Sequence, residues 1–500
     1  MYLSKSIYVR VWNCPKGAWI HKYHPEWVEV SEDRQARFDT GNEVGDLARR
    51  MFGSFVDVTA YKEDGSLDKT RMIRNTQAEM AKGTPVICEA AFSYEGLYCA
   101  VDLLRRDEEN GGWAIYEVKS SAHLKDYYTA DVSYQKYVLE HCGVKVTGVY
   151  LVHIDSSYVL GPEGLDPAGF FKVNDLWEDA AREQQNTVPR VLETAERVLE
   201  CGEEPAVETG EGCLDCDLFR CCFRGLPERN VFDLYRLAKK KMFEYYRQGM
   251  VSYEDLENAG VISNKTQLRQ IDYWLRDRGI HAEKEKLREF LAGLSYPLYF
   301  LDFETMGLAV PVYEGTRPFE QVPFQYSLHY IEREGGELKH REFLGESGTD
   351  PRRAIAEALC RDIPADACVT AFHKSTECGI LRKLAEEFPD LAEHLNAVAG
   401  NVVDLLEPFQ KGWYYRKEIG GSFSIKSVLP AICPGDPELD YHGLDGVHNG
   451  TEAMNIYPAI RFMPPEEQEK ARKSLLAYCR LDTLAMVKVW EELKRAAEAE

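Results

Sequence analysis

The sequence predicts a mixed α/β protein of two or three domains. Three observations predict it. A chain of 500 residues is too long for one compact core. Three runs with strand character follow one another between residues 86 and 119. The stretch Pro297 to Thr305, PLYFLDFET, reads as a buried strand, and strand-like and helical segments alternate after it.

Composition narrows the class. A hydrophobic fraction of 44% and a charged fraction of 29% describe an ordinary globular protein. No apolar run approaches membrane-spanning length, and Met1 to Lys5 lacks a signal-peptide core, so the expected location is the cytoplasm. In that setting the 14 cysteines do not predict a disulfide framework. Cys88, Cys99 and Cys360 lie in apolar contexts and read as small buried residues. A net charge of −23 argues against broad, non-specific binding to duplex nucleic acid. It leaves room for a nucleic-acid enzyme that keeps its basic residues in one groove and its acids at metal sites.

In the N-terminal third, Ile7 to Pro15 reads as a short apolar segment running into a turn. A helix is expected from Thr40, with Val44, Leu47, Ala48 and Met51 at helical spacing. Val86–Phe92, Leu97–Leu104 and Trp113–Lys119 read as strands, with a polar hairpin loop over 105–112. Asp102 lies on the second strand. Glu117 and Lys119 share one face of the third, because side chains alternate along a strand. Two acids and a lysine converging there suit phosphodiester hydrolysis. Asp102 and Glu117 would hold a divalent cation, and Lys119 would orient water and stabilise developing negative charge. Taken alone, Glu-x-Lys is more often a surface charge pair.

Asp102, then Glu117-Val118-Lys119, then Asp131-Val132-Ser133-Tyr134-Gln135 on a following helix, resembles the PD-(D/E)XK nucleases of the RecB type, which include CRISPR-associated ones. The resemblance implies a restriction-endonuclease-like fold, and Gln135 matches the glutamine that the family places on that helix. Two positions depart from the pattern. Leu139 stands where the family has a tyrosine, and Gly45 where it often has a metal-binding histidine, four residues after a glycine such as Gly41.

Cys213, Cys216, Cys221 and Cys222 lie within ten residues. Cys213-x2-Cys216 is metal-ligand spacing, Cys222 adds a third ligand, and Cys14, before Pro15, is the candidate fourth. Cys221 is the alternative to Cys222, zinc is the alternative metal, and unliganded core cysteines are the plain reading. An early cysteine followed by a late Cys-x2-Cys-x5-Cys resembles the iron–sulfur site of the RecB-like nucleases. That resemblance implies a structural 4Fe-4S cluster on Cys14, Cys213, Cys216 and Cys222.

Residues 232–294 read as a helical, highly charged connector. Arg236, Lys239, Lys240, Lys241 and Arg247, interleaved with aromatics, would suit a nucleic-acid strand. A solvated helix face beside a core stripe is the commoner origin of such a pattern.

At the end of the Pro297–Thr305 strand, Asp302 and Glu304 point to one face while Phe303 points into the core. Paired buried acids are costly unless a cation neutralises them, and Mg2+ or Mn2+ prefers such oxygens. Phe324–Ile331, Leu338–Leu344 and Val369–His373 read as further strands. Glu377 falls near the start of a helix over 378–388, and Tyr478 and Asp482 share a face of a late helix. Asp-x-Glu on a strand, an acid at a helix start and Tyr-x3-Asp on a late helix resemble the DEDD exonucleases of the RNase H-like fold, over residues 296–490. The resemblance implies that Asp302, Glu304, Glu377 and Asp482 hold two metal ions and that Tyr478 positions the attacking water. Glu377 stands where the family has Asp, and Asp404 is a second candidate for that ligand.

From Cys14 to Asp482 the arrangement resembles a bacterial family of uncharacterised RecB-type nucleases, and Gly421 to Pro430 resembles a segment of it. Lys426 in that segment is a candidate phosphate contact. The expected organisation is a nuclease domain with a 4Fe-4S cluster over 1–226, a helical connector over 227–294 and an exonuclease-like domain over 295–500. The expected activity is metal-dependent hydrolysis of nucleic acid at two potential sites. Single-stranded DNA is the expected substrate and RNA the alternative. The competing expectation is a catalytically weak or inactive module that binds nucleic acid or a protein.

Overall fold

The computed structural model describes residues 2–28 and 33–499. It is a mixed α/β structure whose chain divides into two compact units. The first comprises Met1–Arg224 with Leu308–Glu320, and the second Gly225–Gly307 with Gln321–Glu500. No described helix is long and apolar enough to cross a membrane.

The first unit is built on a seven-stranded sheet of β1 (Leu3–Ser4), β2 (Val56–Asp57), β3 (Val86–Tyr94), β4 (Leu97–Asp107), β5 (Gly112–Lys119), β6 (Val146–Ile154) and β7 (Phe171–Asp175). Strands β3, β4 and β5 form an antiparallel meander, and β6 runs parallel to β5. A parallel neighbour needs a crossover, and helix Asp126–His141 provides it. On one face Ile87, Leu104 and Ile115 pack with Tyr8, Val11 and Tyr134. On the other, Cys88, Leu103 and Tyr116 pack with Val44, Ala48 and Ala309. Ala309 explains why 308–320, expected within the C-terminal domain, belongs to this unit: Ala309 is buried, and Val310 half-buried, among residues of the first sheet.

Local assignments differ at the N-terminus. The apolar segment expected over Ile7–Pro15 is a helix, Lys5–Asn13, followed by a second helix, Pro15–Tyr23, with Cys14 between them. Tyr8 and Val11, three residues apart, form the buried stripe of the first. The helix expected from Thr40 already begins at Asp33 and ends at Arg49.

The second unit has a short antiparallel ribbon, β8 (His281–Ala282) with β14 (Tyr414–Tyr415), and a five-stranded sheet. The sheet contains β9 (Leu298–Met306), β10 (Val322–Ile331), β11 (Lys339–Leu344), β12 (Cys368–Ala371) and β13 (Val402–Asp404), in the order β11-β10-β9-β12-β13. Strands β9, β10 and β11 are antiparallel neighbours, whereas β12 and β13 run parallel to β9. Residues 227–294, expected as a connector, are part of this unit. Tyr235 packs on Phe423 with ring centroids 4.4 Å apart, and Gln270 donates to the Asp233 carbonyl at 2.7 Å. In helix Lys239–Arg247 the three lysines are exposed while Met242, Phe243 and Tyr245 are buried, which is the solvated face with a core stripe.

Alternation along β9 positions the site. Tyr299, Leu301 and Phe303 face a core with Ile355, Leu359 and Leu381. Leu298 and Phe300 face Met486, Val487 and Trp490 of the long helix Pro465–Glu498. Asp302 and Glu304 therefore continue the face that this helix covers.

Candidate functional site

In the second unit, Asp302 and Glu304 on β9 meet Cys479 and Asp482 from helix Pro465–Glu498. Ligand atoms of Asp302, Glu304 and Cys479 lie within 4.8 Å of one another. The Cys479 thiol is 3.8 Å from the Asp302 carboxylate. Burial raises Asp302 well above the usual carboxylate range, and the charges of Asp482, Glu304 and Glu377 raise it further. Glu304 is pushed up to about 8 by burial and by Asp482, against Lys426. Asp482 rises to about 6 through burial, while hydrogen bonds from Tyr441 and Tyr478 and the charge of Lys426 oppose the rise. Tyr441 donates to Asp482 Oδ1 at 2.5 Å. The Lys426 ammonium lies 5.3 Å from the Tyr441 ring and 5.2 Å from the Tyr478 ring.

Glu377 sits in the first turn of helix Ser375–Glu387 and is 5% exposed. Burial pushes its carboxyl up to about 7. Its Oε2 is buried without a hydrogen-bond partner. The other candidate, Asp404, is spent on the backbone. Its carboxylate accepts the amides of His373 at 2.9 Å, Lys374 at 3.2 Å and Leu406 at 3.0 Å. The free oxygen belongs to Glu377, and its charge reaches Asp302. Buried acids with no Lys or Arg ion-paired to them among the described residues are costly unless a cation neutralises them. Asp302 and Glu304 offer the oxygens a hard divalent ion takes, and Asp482 and Glu377 lie near enough to Asp302 to add theirs.

In the first unit, Leu103 pairs with Tyr116, so Asp102 and Glu117 are the next facing positions on β4 and β5. Asp102 accepts the Val118 amide at 2.7 Å. Lys119 donates to Glu117 Oε1 at 2.7 Å and to Asp131 Oδ2 at 2.6 Å. Gln135 donates to Glu117 Oε2 at 2.7 Å and to Asp131 Oδ1 at 3.1 Å. Burial and the neighbouring Glu117 push Asp102 up to about 7, against Lys5 and Lys119. Burial would raise Glu117 too, but Lys119 and Lys5 outweigh it and hold that carboxyl well below its usual range. Gly45 offers no ligand, and space for a side chain is open there. Leu139 is fully buried in the core.

Two members of this cluster, Lys5 and Asp131, are not among the site residues that the sequence predicts. Lys5 donates to Glu117 Oε1 at 2.8 Å and lies 3.5 Å from Asp131 Oδ1. No local pattern could have found Lys5, which is 112 residues from Glu117. Asp131 was legible only as the residue one helical turn before Gln135. In the second unit Tyr441 was likewise missed, because it reaches Asp482 from a short turn with no periodicity of its own.

The cysteines also come together within the first unit. The Cys14 sulfur accepts the Gly17 amide at 3.3 Å, and the Cys216 sulfur accepts that of Leu218 at 3.5 Å. Burial raises the Cys216 thiol, with Cys14 and Cys213 adding to it. Cys222 is pushed up to about 11 by burial, with Cys221, Cys14 and Cys216 adding and Lys16 opposing. Cys14, Cys213, Cys216 and Cys222 thus share one neighbourhood. Amides directed at the sulfurs of Cys14 and Cys216 suit thiolate ligands.

Comparisons with known proteins supply relatives but no activity. A family model described as a domain of unknown function, DUF2779, matches residues 299–424. That stretch contains Asp302, Glu304, Glu377 and Asp404 and ends before Tyr478 and Asp482. An "Uncharacterized protein MG366 homolog" of Mycoplasma pneumoniae is 25% identical over 244 residues, which are 45% of this chain and 36% of that protein. The match spans little more than a third of that relative's length. No solved structure matches the chain significantly.

Proposed function

We propose that the chain is a metal-dependent nuclease that digests single-stranded nucleic acid from its 3′ end at the Asp302–Glu304–Glu377–Asp482 site. The second unit then has a DEDD, RNase H-like fold. One observation carries the reading: the buried acids Asp302 and Glu304 lie within ligand distance of each other, without Lys or Arg ion-pair partners among the described residues, and Asp482 and Glu377 are near enough to act on Asp302. Bound there, divalent ions would supply Lewis acidity at the phosphate and the charge needed for in-line attack by water. The chain's own groups set the geometry. Tyr478 orients the attacking water, Tyr441 fixes the Asp482 carboxylate, and Lys426 draws the phosphate toward the acids. Water adds to phosphorus, the bond to the 3′ oxygen breaks, and that oxygen leaves with a proton, releasing a nucleoside 5′-monophosphate.

The first unit is proposed to have the restriction-endonuclease-like PD-(D/E)XK fold, stabilised by a 4Fe-4S cluster on Cys14, Cys213, Cys216 and Cys222. Its acid cluster does not fit a divalent ion as it stands, because both Glu117 oxygens are engaged by protein donors. No hydrolytic step is assigned to it. This favours, for that unit, the second reading of a weak or inactive nucleic-acid-binding module.

The experiment is an end-labelled assay on anaerobically purified protein with single-stranded DNA and RNA and Mg2+ or Mn2+. Asp302→Asn is expected to slow 3′-end digestion about a thousandfold, while Lys119→Ala leaves it in place. Unchanged digestion in Asp302→Asn would sink the reading. Absorbance near about 400 nm, lost in Cys216→Ser, checks the cluster.

A further inference from the structure

The acid cluster of the first unit already contains a cation, and the chain supplies it. Lys5 Nζ lies 2.8 Å from Glu117 Oε1 and 3.5 Å from Asp131 Oδ1, and the charge of Asp102 acts on it as well. Glu117 on β5 and Asp131 on helix Asp126–His141 therefore hold one ammonium, with Asp102 on β4 near enough to act on it. With Lys119 and Gln135 also donating, both oxygens of Glu117 and both of Asp131 are occupied.

The backbone holds Lys5 in position. Leu3 and Ser4 form β1 and pair in register with Leu97 and Tyr98 at the start of β4. The Leu3 amide donates to the Gly96 carbonyl at 3.0 Å, and the Leu3 carbonyl accepts Tyr134 Oη at 2.7 Å. Lys5 begins the next helix, so its side chain starts from a fixed point beside the acids. Gly45 contributes no ligand that would help a metal ion compete. The second unit differs: no lysine or arginine pairs with Asp302, Glu304, Glu377 or Asp482 among the described residues.

We propose that Lys5 is the resident cation of the N-terminal site, its ammonium taking among Asp102, Glu117 and Asp131 the place of a divalent ion, so that such an ion binds only by displacing it. Lys5 and a divalent ion on the same oxygens repel each other in a poorly hydrated site, whereas Lys119 keeps Asp131 Oδ2 as its partner when Glu117 turns to the ion. Metal loading of this site is therefore coupled to movement of the Lys5 side chain. This inference is independent of the nuclease reading, because it concerns binding and not turnover.

The test measures Mn2+ binding to the full chain by the electron paramagnetic resonance signal of free Mn2+. Asp302→Asn with Glu304→Gln silences the second unit, so that bound Mn2+ reports the first. In that background Lys5→Met is expected to tighten Mn2+ binding about tenfold or more, the scale at which partners of a metal site act. Lys5→Arg, which keeps the charge, is expected to bind as weakly as the parent. A second measurement needs no substitution at Lys5. Amine-reactive labelling of the unmodified chain, read by mass spectrometry, is expected to rise severalfold at Lys5 on Mn2+ saturation and to stay constant at Lys240. Unchanged or weaker Mn2+ binding in folded Lys5→Met overturns the proposal. So does Lys5 labelling that does not respond to Mn2+, which decides the matter where Lys5→Met fails to fold.

Discussion

Single side chains decide how the second unit responds to pH and metal. Glu304, Glu377 and Asp482 are raised to about 8, 7 and 6 from usual values of 4.5, 4.5 and 3.8. A carboxyl raised on folding binds more protons in the native state, so its stabilising contribution is complete below about pH 4 and lost as pH rises through 6–8. Metal-free protein is therefore expected to melt at progressively lower temperature between pH 5 and pH 8, with a shallower slope in Glu304→Gln. Metal displaces those protons, so Mn2+ affinity should rise over the same interval. Calorimetric scans across pH, with and without Mn2+, check both signs. Tyr441 and Tyr478 separate by role. Tyr478→Phe should slow digestion about a hundredfold, a larger effect than the loss of its own hydrogen bond to Asp482 has on Mn2+ affinity. Tyr441→Phe removes the donor to Asp482 and should weaken Mn2+ binding about tenfold. Titrating Mn2+ against rate in each variant distinguishes them.

Elements carry constraints that no side chain shows alone. A Cβ on Gly421 would lie 1.7 Å from the Asp233 carbonyl oxygen, so the two backbones meet where only glycine fits. Gly421→Ala must push the segments apart and should cost about 2–3 kcal/mol in urea unfolding. The same change at Gly400, which has nothing near its Cβ, is the control. Cys14 illustrates the converse, where the element gives a residue its place. It caps helix Pro15–Tyr23, and that helix packs through Trp19 and Ile20 against Leu218, beside Cys221 and Cys222. If a cluster linked Cys14 to the late cysteines, as proposed, it would close a loop of about two hundred residues, worth about 5 kcal/mol in chain-entropy terms. Cys14→Ser should lose the visible absorbance and that order of stability together.

At the scale of the whole molecule, two compact units with separate cores predict two thermal transitions. Mn2+ should raise the one that Asp302→Asn also shifts, and Cys14→Ser should lower the other. The sequence alone determined the parts governed by short-range periodicity. Alternation placed Asp302 and Glu304 on one face of β9, with Phe303 opposite. Helical spacing put Tyr478 and Asp482 together. The strand period put Glu117 beside Lys119. These relations repeat every two or four residues, so they are legible without knowing the fold. Tertiary structure decided everything that depends on distant chain segments. It brought Lys5 across more than a hundred residues to Glu117, turned Tyr441 onto Asp482, and spent Asp404 on three backbone amides while leaving a Glu377 oxygen free. It also drew 308–320 into the first unit and 227–294 into the second. The physical reason is that partnership and burial set the charge state of a buried acid, and both come from segments that meet only once the chain has folded.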